Sequence, residues 1–208
     1  MELDLLHKPD FSHRVLNWVD LHRNHLVMTL VGAILFFGLL AAVTSWVSVR
    51  EGKAQVAYFE TKGNKAGLEN VIANFPKSHA ATLALIDLAS GDLNDKNFDS
   101  CIARYGQVYD KASRQIYFRV LALHGIGTCQ RAKGDLQTAA QTFERAAKEP
   151  GNLVPFVSRF EEARCLEALK DPKAGELYNE VLTNKDLPPE FKEEVEEQLI
   201  WLRLQKNS

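Results

Sequence analysis

Leu26 to Val49 reads LVMTLVGAILFFGLLAAVTSWVSV, twenty-four residues without an ionisable group, and the rest of the chain has to be arranged around it. As a helix rising 1.5 Å per residue the run is about 36 Å long, enough to cross a hydrocarbon core of about 30 Å with some tilt. Thirteen of its residues are Leu, Ile, Val or Phe, which favour insertion by about 4 to 8 kcal/mol before Gly, Ser and Thr reduce that. A buried helix of a water-soluble domain keeps a polar face, which this run lacks. A cleaved signal peptide has a shorter apolar stretch, so the segment is expected to stay as a transmembrane helix.

Charge excludes one class of partner. The chain has 208 residues, 25 Lys plus Arg against 27 Asp plus Glu, and a formal net charge of −2, which gives no electrostatic case for nucleic acid. Beyond residue 49 about 160 residues remain, enough for one domain with its own core.

Residues 1–25 form a tail on the other side of the membrane from the body, expected in the cytoplasm. Phe11, Val15, Trp18, Val19 and His22 have helical spacing behind Asp10 or Ser12 as a cap, which predicts a short amphipathic helix at the membrane surface. Trp18 and Trp46 suit headgroup depth at either end of the span. His7, His13, His22 and His25 fall in the tail without a Cys and with only Asp20 nearby, too few ligands to close a metal shell. Lys8, Arg14 and Arg23 lie on one side of the span and Arg50, Lys53, Lys62 and Lys65 on the other, so charge alone does not fix orientation.

Residues 50–208 read as helices separated by turns. Arg50 to Phe59 keeps helical spacing, which predicts that the span continues as one helix until Gly63-Asn64. A second helix is expected over Ala66 to Asn74, stopped by Phe75-Pro76-Lys77-Ser78. A repeat follows. Leu123-x2-Ile126-Gly127, a turn at Lys133-Gly134-Asp135, then Ala139-x3-Phe143-x2-Ala146 and Pro150 make the tetratricopeptide pattern, in which small residues let antiparallel helices approach and large ones fill the groove. Leu85-x2-Leu88-Ala89 with Cys101-x3-Tyr105-x2-Val108 matches it earlier. A weaker copy has Ala163 and Ala174-x3-Tyr178-x2-Val181. Cys101, Ala139 and Ala174 stand 38 and 35 residues apart, near the 34-residue period. Pro189 to Lys206, with Phe191, Val195, Leu199 and Leu202, suits a capping helix with a polar outer face. The expected fold is all-α: a transmembrane helix over 26–49, then a tetratricopeptide-repeat-like α-solenoid of about three helix pairs with a C-terminal capping helix over 50–208.

A short tail, one span near residue 26, the entry Phe75-Pro76-Lys77-Ser78 followed by Ala80-Ala81-x-Leu83-Ala84-Leu85, and about three tetratricopeptide repeats together resemble the YfgM-type ancillary subunits of the bacterial SecYEG translocon. The resemblance covers nearly the whole chain through layout and repeat motif. It implies a single-pass inner-membrane protein with its repeats in the periplasm, whose partners are the translocon and a membrane-anchored periplasmic chaperone in protein export. It brings no catalytic or ligand residue.

The residues carry no catalytic signature either: there is no Walker loop, G-x-S-x-G, HExxH or dinucleotide fingerprint, and Gly125-Ile126-Gly127 lies inside an expected helix. No enzyme activity, metal, cofactor or small-molecule substrate is expected. Cys101, Cys129 and Cys165 lack metal spacing and read as small buried residues. Glu161-Glu162, Glu190 and Glu193-Glu194 read as solvated helix faces. The function expected is a membrane-tethered protein-protein interaction module, with a structural scaffold subunit of another envelope assembly (pilus, secretion or cell-wall machine) as the alternative. In the register set by Gly127 the partner-binding positions are Ile86 and Ser90, then His124, Thr128 and Arg131, then Phe160, Arg164 and Glu167. They form a groove for an extended or helical peptide, unless the capping helix fills it and Phe160 belongs to the core.

Overall fold

Fifty-one consecutive residues, Phe11–Thr61, form a single helix, α1, in the computed structural model, which describes residues 11–112 and 115–206. No proline interrupts this stretch, and the first left-handed residue after it is Gly63, at φ +86°. The tail helix is therefore not a separate surface element. Its backbone continues into the apolar run, because nothing between Phe11 and Gly32 breaks the hydrogen-bond ladder. Asp10, one of the two expected caps, lies outside the described residues, and Ser12 lies within the helix. Every side chain from Leu26 to Val49 is exposed, and α1 is long and apolar enough to cross a membrane.

The chain divides into two units, Met1–Gly52 and Lys53–Ser208. In the second unit the end of α1 is followed by α2 (Lys65–Asn74), α3 (His79–Asn94), α4 (Phe98–Lys111), α5 (Ile116–Lys133), α6 (Leu136–Ala147), α7 (Pro155–Ala168), α8 (Lys173–Leu182) and α9 (Pro189–Lys206). Among the described residues all regular structure is helical. The helix ends follow local chemistry. The Asn64 side chain accepts from the Gly67 N–H at 3.2 Å and the Ser78 hydroxyl from the Ala81 N–H at 3.0 Å, each satisfying a free donor of the first turn. Phe75 precedes a proline and leaves the helical region, Gly134 closes α5 at φ +96°, and Pro155 opens α7 where its missing N–H costs nothing.

From α2 onward each helix packs chiefly on its neighbours in chain order. The repeat-motif positions are the core: Leu85, Leu88, Ala89, Cys101, Tyr105, Val108, Leu123, Gly127, Ala139, Phe143, Ala146, Ala163, Ala174, Tyr178 and Val181 are all buried, and Ile126 is half-buried against them. Gly125 and Gly127 explain how α5 comes so close to its neighbours. A Cβ on Gly127 would lie 2.8 Å from the Phe143 ring of α6, and one on Gly125 would lie 2.6 Å from the Tyr105 ring of α4. Ala54 and Tyr58, on the last turns of α1, join Leu68, Val71, Ala80, Ala84 and Leu88 in one cluster. The Tyr58 hydroxyl donates to Asp87 at 2.7 Å, and burial followed by that bond pushes its pKa up to about 12.

Three expectations are corrected. Cys101 of α4 and Cys129 of α5 are joined in a disulfide and are not free thiols. Their Cα atoms are 6.2 Å apart, because both residues face the same interhelical seam. Cys165 is free and buried, and burial pushes its thiol up to about 11. Glu162 is no solvated residue: it is 2% exposed and holds Arg159 at 2.7 Å and Lys173 at 3.6 Å, the pairing a buried carboxylate requires. The outer face of α9 is not wholly polar, since Ile200, Trp201 and Leu204 are exposed opposite Val195 and Leu199.

Candidate partner-binding face

The eight expected positions fall on α3, α5 and α7, and the structure gives them different surroundings. Ile86 is half-buried against the clusters around Ala89 and Leu85. Ser90 is exposed, with its hydroxyl 3.2 Å from the Tyr105 hydroxyl. Thr128 is half-buried.

His124 is tied down on two sides. Its Nε2 shares a hydrogen bond of 2.6 Å with Oγ of Ser158, a residue with no exposed surface, and its ring meets the Phe143 ring edge-on at 5.5 Å. Burial holds the imidazole below its ordinary pKa, against the opposing pull of the Glu161 carboxylate.

Phe160 does not line an open groove. It is 2% exposed, with the Phe191 ring of α9 at 5.1 Å and the Tyr178 ring of α8 at 5.8 Å. Phe156 and Phe191 extend the same aromatic stack. Phe191 of α9 thus covers this position. Glu167 is engaged as well, its carboxylate accepting from the Tyr178 hydroxyl at 2.7 Å. Burial, then this bond, raises the Tyr178 pKa.

What remains accessible is a charged cluster bridging α5 and α7. Glu161 pairs with Arg131 and lies 3.5 Å from Arg164, whose guanidinium sits 5.8 Å from the centre of the Phe160 ring. The Arg164 side chain is 42% exposed, against 29% for Arg131 and 20% for Glu161. Two arginines thus surround the Glu161 carboxylate. Among the described residues no three His, Cys, Asp or Glu side chains converge as metal ligands.

Sequence reasoning missed Ser158 and Glu161. Ser158 stands thirty-four residues after His124, one repeat period, so the periodicity held a signal for that pair. Compared with models of protein families, with curated proteins and with solved structures, the chain has no match.

Proposed function

We propose that this chain is a membrane-tethered protein-protein interaction module of the bacterial cell envelope. In this reading α1 anchors it in the inner membrane and the body is a tetratricopeptide-repeat-like solenoid in the periplasm, acting near the Sec translocon with periplasmic chaperones in protein export. The observation that carries the reading is α1 itself. One helix supplies the exposed apolar run and, through Ala54 and Tyr58, part of the core of the helical array. An anchor of this kind confines the binding face to the membrane surface, raising its effective concentration near other membrane partners.

Two further observations support parts of it. Close approaches within the array fall on Gly125 and Gly127, and Gly127 is the small residue of the tetratricopeptide pattern. The Cys101–Cys129 disulfide suits an oxidising compartment such as the periplasm. On this reading the end of α1 with α2, α3 with α4, α5 with α6, and α7 with α8 form the successive helix pairs, and α9 is the cap. The partner face consists of Ile86, Ser90, Thr128, Arg131, Glu161 and Arg164.

The test is photocrosslinking in intact cells from a probe at Thr128. Adducts with translocon subunits or a membrane-anchored chaperone support the proposal, whereas stoichiometric recovery with one large envelope assembly favours the scaffold role. Arg164→Ala should weaken partner capture at least tenfold, or about 1.4 kcal/mol, with the melting midpoint nearly unchanged because the side chain is substantially exposed. Capture at wild-type strength would place the interface elsewhere.

A further inference from the structure

We propose that the body pairs with a second copy of itself through a two-fold contact at the α6–α7 loop, in which Leu153 of each copy enters a cavity beside Pro155 of the other.

The cavity lies where α6 ends, α7 begins and α8 ends. It measures about 190 Å³, and Ala147, Pro155, Phe156 and Val181 give it an apolar lining, with Arg159 and Glu180 among them. An apolar cavity of about 150 Å³ holds benzene, so this one has room for one large aliphatic or aromatic side chain. Its arginine does not call for an anion. The Arg159 guanidinium already meets Glu162 at 2.7 Å and Glu180 at 3.4 Å, and these two carboxylates would repel a third negative group. An uncharged, apolar group is what the cavity accepts.

The loop that joins Ala147 to Pro155, two residues of the cavity wall, holds out such a group. Leu153 is 92% exposed, yet it stands on a fixed loop. Asn152 Nδ2 donates to the Ala146 carbonyl at 2.8 Å, the Asn152 N–H to the Glu149 carbonyl at 3.0 Å and the Val154 N–H to Asn152 Oδ1 at 2.9 Å. Arg119 holds the Glu149 side chain at 2.7 Å, and Gly151 makes the turn at φ +80°. An apolar side chain presented this way gains by leaving water, and its loop has already lost much of the freedom that binding would otherwise cost.

Knob and hole on the same patch identify the occupant. Leu153 does not fill the cavity of its own chain, because its loop directs it into solvent. A two-fold contact requires a self-complementary surface, on which residue i meets j while j meets i. A held-out leucine beside a cavity of side-chain size meets that requirement with a second copy of the chain. Charge agrees with it. Lys148 of the loop and Glu180 of the cavity, with side chains 63% and 57% exposed, are of opposite sign, so the exchange sets Lys148 of each copy toward Glu180 of the other. The apolar surface continues onto the start of α5, where Ile116 Cδ1 lies 2.8 Å from where a Cβ on Gly151 would stand and Tyr117 is 73% exposed. A surface of this extent belongs with weak, transient contacts that bury less than about 1,200 Å².

The experiment uses the full chain in intact cells, expressed with two different tags, and a benzophenone amino acid in place of Lys185 in one of them. Lys185 is exposed and follows Asn184 of the cavity wall, so knob and hole both stay intact. Irradiation should give an adduct that carries both tags, with the crosslink in the second copy falling within residues 148–154. Leu153→Asp in both copies should lower its yield at least tenfold. Because Leu153 is exposed, the variant's helical signal and melting midpoint should match wild type. Sedimentation equilibrium of the purified full chain in detergent should show self-association weakened at least tenfold by the same substitution. Absence of a doubly tagged adduct, or a yield and an association constant unchanged in Leu153→Asp, overturns the proposal. An adduct from position 185 to a different polypeptide alone also overturns it, and gives the cavity to that protein.

Discussion

Nε2 of His124 lies 2.6 Å from Oγ of Ser158, and the bond joins α5 to α7 across thirty-four residues of sequence. The Ser158 hydroxyl has no access to water. His124→Ala would leave it without this partner, and an unsatisfied buried group costs about 1 to 3 kcal/mol. His124 is therefore a structural residue, and its truncation cannot serve as a neutral probe of partner capture.

The same bond sets a pH dependence. The folded imidazole has a pKa below its unfolded value of about 6.5. As pH falls, the unfolded chain takes up this proton first, so the stability contributed by the neutral ring is complete above about 6.5 and is lost as pH falls through the folded pKa. The denaturant midpoint of wild type should fall more between about pH 7 and pH 5 than that of His124→Gln. Parallel pH profiles would mean that the ring is not held in its neutral form.

Glycine contacts should separate by location. A Cβ at Gly127 meets the fully buried Phe143 ring, which has no room to withdraw, whereas nothing lies within 4 Å of one at Gly91 or Gly106. Gly127→Leu should cost about 1 to 3 kcal/mol or more by overpacking. Gly91→Ala and Gly106→Ala, inside helices with open space, should be neutral or stabilising by up to about 1 kcal/mol. Thermal unfolding of the three variants decides this, and an unchanged midpoint for Gly127→Leu would contradict the packing described.

The disulfide closes a loop of 28 residues, for which chain entropy gives a stabilisation of about 3.5 kcal/mol, within the usual range of about 2 to 4 kcal/mol. Alkylation of the denatured chain should add one group without reductant, at Cys165, and three after reduction. Cys101→Ala with Cys129→Ala should lower the unfolding free energy by an amount in that range. Three groups added without reductant would show the pair unformed.

Much of this architecture was legible because it rests on local rules. The run from Leu26 to Val49, the breaks at Gly63-Asn64, Phe75-Pro76 and Lys133-Gly134-Asp135, and the burial of Gly127 follow from composition, backbone preference and period. What the sequence did not disclose depends on rotation about helix axes and on which helix lies opposite. The seam that pairs Cys101 with Cys129, the burial of Glu162 beside an accessible Glu161, the covering of Phe160 by Phe191, and the exposure of Ile200 and Trp201 on α9 are of that kind. Adjacent residues on a helix point about 100° apart. The pair Glu161-Glu162 therefore looks uniform in sequence and divides between surface and core in the fold.

The central claim, a periplasmic helical body held by α1, is tested most directly by adding protease to intact spheroplasts and mapping the fragments that survive. Digestion throughout the body beyond Arg50, with the residues before Leu26 spared, is the predicted result. Protection of the body until the membrane is permeabilised, with the tail cleaved instead, would contradict it.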